Sequence, residues 1–142
     1  MKFFTATVES VLLYGCESWT LASRLEKRLD GCYTRMLRSV KQIHWERHVT
    51  NLELYGGLPR VSTKIRARRL RLAGHCLRHD ELAASKLVLW APTQGHCSRG
   101  RPQTTYVDTL CRDSGLRREE LRTAMEDQRV WRAIIRCSAS TE

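Results

Sequence analysis

The stretch from Arg60 to Arg78 constrains the fold more than any other part of the chain. It holds seven Lys or Arg residues and no Asp or Glu, so a helix there has no intrahelical ion pair to offset the repulsion among its cations. Pro59 opens the segment, and at about 100° per residue Val61, Ile65, Leu72 and Cys76 fall within about 60° of one another. Arg60, Lys64, Arg71 and Arg78 cluster on the side facing away. The spacing predicts a helix over 61–78 whose apolar side packs into a body while its basic edge runs through solvent as a rail. Arg66 and Arg69 do not fit that division. They fall on the apolar arc, where a cation needs a partner.

The remaining segments also read as helices. Phe3, Phe4, Val8, Val11, Leu12 and Tyr14 recur at helical spacing and predict a first helix ending before Gly15. Leu21, Leu25, Leu29, Tyr33, Met36, Leu37 and Val40 form an apolar stripe over 21–41, with Thr20 as N-cap and Arg24, Lys27, Arg28, Arg35, Arg38 and Lys41 on the other face. Thr50-Asn-Leu-Glu53 has capping-box spacing and opens a short helix that stops at Gly56-Gly57. From Asp80 to Gln103 the periodicity fails. Leu87-Val-Leu-Trp90 reads as a short strand or an extended anchor with Trp90 buried, and Pro92, Gly95, Gly100 and Pro102 punctuate the rest. Helices resume at 104–112, 117–124 and 128–136, with Gly115 as a stop and Asp127 as a cap. The expected fold is all-α, a bundle of amphipathic helices, organised as a helical domain over 1–79, a linker over 80–103 and a smaller C-terminal helical group over 104–142.

Composition narrows the partners. A net charge of +10 and a pI near 9.8, with arginine far outnumbering lysine, favour polyanions through long-range attraction and counterion release. The planar guanidinium fork matches phosphate and guanine edges, which points to nucleic acid rather than to a membrane surface. No run of apolar residues is long enough to span a bilayer. Glu9 interrupts the apolar start and no small-residue cleavage site follows, so the expected setting is intracellular, nuclear or cytoplasmic, not secreted, with six reduced cysteines.

Two basic features carry the binding expectation. In Lys64-Ile-Arg-Ala-Arg-Arg-Leu-Arg71 five of eight residues are basic. With Arg60 before it and Arg78 after it, the helix side holding Arg60, Lys64, Arg68, Arg71 and Arg78 would follow a phosphate backbone without reading sequence. Ser98-Arg-Gly-Arg-Pro102 presents Arg99 and Arg101 on an extended segment suited to a narrow groove or a single strand. Catalytic chemistry has no foothold. The five aspartates are isolated, with no pair to hold two Mg²⁺ ions, and there is no Gly-rich phosphate loop, G-x-S-x-G or H-E-x-x-H. His75, Cys76, His79, His96, Cys97 and Cys111 are ligand types, but the neighbouring pairs point in different directions, so neither a metal nor another cofactor, nor a small-molecule substrate, is expected. Of the four tryptophans, Trp19, Trp90 and Trp131 are expected to anchor the core. Trp45, between His44 and Glu46, is placed to stack on an unpaired base.

Six segments together carry a resemblance. Leu12-Leu-Tyr-Gly-Cys-Glu-Ser-Trp19, Leu29-Asp-Gly-Cys-Tyr-Thr-Arg-Met-Leu-Arg38, Val49-Thr-Asn-Leu-Glu-Leu-Tyr55, Arg69-Leu-Arg-Leu-Ala-Gly-His75, Arg99-Gly-Arg-Pro102 and Ala124-Met-Glu-Asp-Gln-Arg-Val-Trp-Arg132 stand in this order. The chain resembles the C-terminal region, after the palm, of reverse transcriptases from LINE-like retrotransposons without long terminal repeats. The resemblance implies thumb-type helices over 5–38, then a tail that helps hold template RNA and target DNA, with a Gly74-His75 turn and the Arg99–Pro102 loop as landmarks. It also implies a piece without fingers, palm or endonuclease, hence no polymerase activity; the alternative reading is a protein-interaction module or non-functional relic whose apolar faces docked on the missing polymerase palm.

Overall fold

Helix formation begins at the N-terminus with Lys2–Phe4 (α1), passes through a π-helical turn at Thr5–Glu9 and continues through Ser10–Leu12 (α2). The run closes at Gly15, whose φ of 65° lies in the left-handed region. The other helices are Ser23–Val40 (α3), Asn51–Tyr55 (α4), Val61–Arg78 (α5), Ala83–Val88 (α6), Tyr106–Ser114 (α7), Arg118–Glu126 (α8) and Gln128–Ser140 (α9). This computed structural model describes residues 2–90 and 104–140, and no strand occurs among them, so the all-α expectation holds.

Local chemistry sets most of the boundaries. The Thr50 hydroxyl accepts from the Glu53 N–H while the Glu53 carboxylate accepts from the Thr50 N–H, and α4 stops at Gly56 with φ 53°. Thr105 and Asp108 form a second capping box at α7, which ends at Gly115. Asp127 caps α9 by accepting from the N–H groups of Arg129 and Val130. The cap of α5 comes from another element. Its N-cap residue, Arg60, makes no side-chain cap bond, and Asp30 of α3 accepts from both the backbone N–H (2.9 Å) and the hydroxyl (2.7 Å) of Ser62.

Three local expectations are corrected. Thr20 does not cap α3, which starts at Ser23 behind an extended Ala22, and the Leu21 carbonyl is held by the Arg112 guanidinium at 3.0 Å. The strand expected at Leu87–Trp90 is not there: Leu87 and Val88 end helix α6 and Leu89 follows in a turn, since a lone strand has no neighbour to pair with and the Ala-Ala-Ser-Lys-Leu run suits a helix. Val88 is the residue buried there; Trp90 is 62% exposed and anchors nothing.

Helix α5 forms a wall of both hydrophobic cores. Its first turns, Val61 and Ile65, close a core with Phe4, Leu13, Tyr33, Leu37 and Leu54. Its later turns, from Ala67 to Leu77, pack with Val88, Val107, Leu110, Leu121, Met125, Trp131 and Ile135. The boundary drawn at 79 therefore separates α5 from helices with which it shares a core. Leu72, placed on the apolar arc by spacing, stays exposed.

Gly74 is the point of closest approach. A Cβ there would lie 2.4 Å from Trp131 Nε1 and 2.5 Å from its Cδ1. The indole lies across the missing side chain and donates to the Leu70 carbonyl at 2.8 Å. Gly74-His75 is thus no turn but mid-helix, and the glycine is there to admit a tryptophan.

Acidic residues far along the chain hold α5's inner cations. Arg69 is wholly buried on Asp113 of α7. Arg66 reaches Glu26 of α3 at 3.4 Å, and Arg112 bridges the two acids, 2.9 Å from Glu26 and 3.5 Å from Asp113. Burial pushes the Asp113 carboxyl above its usual range, with Arg69 and Arg112 pulling it back. The two cations on the apolar arc have the partners their position demanded.

Candidate nucleic-acid interface

The expected rail divides in two. In its first half Lys64 turns inward, its ammonium 2.7 Å from the Glu9 carboxylate and 3.1 Å from the Tyr33 hydroxyl, and 5.2 Å from the centre of the Tyr33 ring. Burial would raise the Glu9 carboxyl, but hydrogen bonds from Lys64 and Tyr33 outweigh it and hold Glu9 below the usual carboxylate range. Arg68 donates to the Leu13 carbonyl at 3.3 Å. An unneutralised rail running from Arg60 to Arg78 is therefore not what forms: Lys64 is tied to a carboxylate brought in by the N-terminal helix. Arg60 stands exposed at the start of α5.

The second half opens onto a cleft between α5 and α9. Arg71 and Arg78 stand on one wall, and Gln128, Arg132 and Arg136 on the other; Trp131 and Ile135 form the floor of a space of about 330 Å³. No described residue that lines it is acidic. Arg71, Arg132 and Arg136 are exposed, whereas Arg78 is partly buried and donates through Nη1 to the Met125 carbonyl at 2.7 Å. That bond is to a neutral acceptor, so it positions the guanidinium without cancelling its charge. Trp131 sets the geometry, since its close contact with Gly74 brings α5 and α9 together, so that four arginines line one space.

Sequence reasoning found Arg71 and Arg78 but missed Arg132 and Arg136. The signal was present: Arg132 and Arg136 each follow a buried residue, Trp131 and Ile135, so they sit one turn apart at the edge of α9's apolar face. Arg99 and Arg101 lie outside the described residues. Trp131 is buried and Trp19 partly so, while Trp45 is 79% exposed.

Other chemistry is sparse. His75 and His79 stand one turn apart with ring centroids at 4.4 Å, and His79 Nδ1 lies 3.1 Å from Glu81. Among the described residues no group of three or more His, Cys, Asp or Glu gathers to hold a metal, and no helix is long and apolar enough to cross a membrane. Cys16, Cys32, Cys76 and Cys111 are free thiols.

Comparison with known proteins adds no relative: no family model matches the chain, and neither the curated proteins nor the solved structures hold a significant match.

Proposed function

We propose that the chain is a nucleic-acid-binding module of the kind found after the palm in LINE-like reverse transcriptases, gripping the RNA or DNA backbone and carrying no polymerase activity of its own. The observation that carries this reading is the α5–α9 cleft, which four arginines line with no acidic residue among the described residues of its walls. Guanidinium groups gathered at a shared opening suit phosphate oxygens, which their planar forks bind bidentately, better than they suit a neutral ligand. Backbone contacts of this sort fix position and register without reading bases.

Fluorescence anisotropy across a salt series tests it. If the four cleft arginines neutralise about four phosphates, log K should fall by about 3 to 4 per decade of salt. A slope near zero, or no binding at low salt, refutes the reading. Metal-stimulated primer extension by the purified chain would overturn the non-enzymatic part.

A second reading has its own observation. Phe3, Val11 and Tyr14 on the N-terminal helical run are exposed, as a face that docks on another protein such as a polymerase palm would be. Concentration-dependent association relieved by F3S/Y14S supports it; an unchanged monomer at every concentration counts against it.

A further inference from the structure

Trp45 sits between α3 and α4, in a short 3-10 turn at Trp45–Arg47, with most of its indole in water. The loop that carries it is anchored at both ends. Ile43 and Val49 pack against the N-terminal core. The Ile43 N–H donates to the Arg38 carbonyl at 2.9 Å, and Arg38 Nη2 donates to the Val49 carbonyl at 2.7 Å and to Asn51 Oδ1 at 3.0 Å. Gln42 and His48 bracket the turn with φ of 52° and 45°, the only non-glycine residues in the left-handed region among the described residues. Side chains with a Cβ adopt that conformation at a cost, and it persists where surrounding contacts impose it.

The protein thus spends backbone strain to hold an indole away from its own core. A solvated tryptophan forgoes the burial that normally stabilises it, so an external partner is the natural complement. The neighbours indicate which partner. His44, Arg47 and His48 lie within three residues of Trp45 in the chain, all exposed, with Glu46 the one acid in the turn. An aromatic plane set among cationic or protonatable groups suits a ligand with one flat face and a negative charge alongside, which is an unpaired nucleotide.

We propose that Trp45 is a stacking platform for an unpaired base, giving the chain a preference for single-stranded over duplex nucleic acid. It rests on the backbone-binding reading above and adds a feature that the arginine cleft lacks, since phosphates are common to single and double strands. The platform is tolerant of sequence, because every base offers a π face.

The test compares a labelled single strand with its blunt duplex, for the wild type, W45A, W45L and W45F. W45A and W45L are expected to weaken single-strand binding by about 5- to 150-fold and leave duplex binding and the salt slope unchanged, because no charge is removed. W45F should retain most of the single-strand affinity, and W45L shows whether a flat ring or merely an apolar group is needed. All three should melt with the wild type, since the indole is exposed. Equal losses on both ligands, or none on the single strand, overturn the proposal. Wild-type protein that binds neither ligand removes the backbone reading and this one together, whereas salt-dependent wild-type binding with W45A at wild-type affinity removes only the stacking site.

Discussion

Replacing Gly74 with alanine gives a sign test of the α5–α9 packing. In a solvent-facing helix the change stabilises by about 1 kcal/mol through helix propensity. Here the new methyl would stand 2.4 Å from the Trp131 indole nitrogen and 2.5 Å from its Cδ1, so the ring must withdraw. Overpacking of this kind costs about 1–3 kcal/mol, and losing the indole bond to the Leu70 carbonyl costs about 1 kcal/mol more. Set against the propensity gain, the net is a destabilisation of about 1–3 kcal/mol, or roughly 3–12 °C in Tm for a chain of this length. Thermal melts followed by circular dichroism, paired with urea unfolding, read it directly. A Tm that stays level or rises would mean that Trp131 does not lie on Gly74, and the geometry of the arginine cleft would fall with it.

Three further outcomes follow from the internal charges. R69M strands the buried Asp113 carboxylate and should cost about 3–5 kcal/mol in urea unfolding, with much of that recovered in R69M/D113L; equal costs for the single and double variants would refute the pairing. D30A removes the cap that α3 supplies to α5 and should cost about 0.5–2 kcal/mol, whereas a change within the error of the urea midpoint would mean that Ser62 is satisfied elsewhere. The third concerns pH. Glu9 has its folded-state pKa depressed, so its contribution is present above the unfolded value, about 4.3, and is lost as pH falls through the folded value. The stability difference between wild type and E9Q should therefore shrink below about pH 4, and a difference constant from neutral pH into that range would contradict it.

How much of this was legible in the sequence depends on the range of the interaction concerned. The Thr50–Glu53 box, the stops at Gly56 and Gly115 and the Asp127 cap rest on signals within four residues, and all are found where spacing puts them, as is the span of α5, although its cap comes from Asp30 of α3. The misfit of Arg66 and Arg69 on an apolar arc correctly announced partners without naming them. Those partners, Glu26 and Asp113, lie 40 and 44 residues away, and the Glu9 that neutralises Lys64 lies 55 away. A local scan for intrahelical pairs cannot find them, which is why the rail was expected to run the full length of α5. The same reasoning explains the cleft: half of its arginines come from α9, and only the contact of Trp131 with Gly74 brings them opposite Arg71 and Arg78.

Charge reversal at the cleft mouth tests the backbone-binding role most directly. R71E/R132E replaces two exposed cations on opposite walls, and K27E/R28E makes the same charge change on the exposed face of α3. With anisotropy measured across salt, R71E/R132E is predicted to lower the magnitude of the slope by about 2 and to weaken low-salt binding at least about 10-fold, with K27E/R28E staying near the wild type. Equal effects from the two pairs would reduce the interaction to bulk charge, and wild-type binding by R71E/R132E would remove the cleft as the seat of the polyanion.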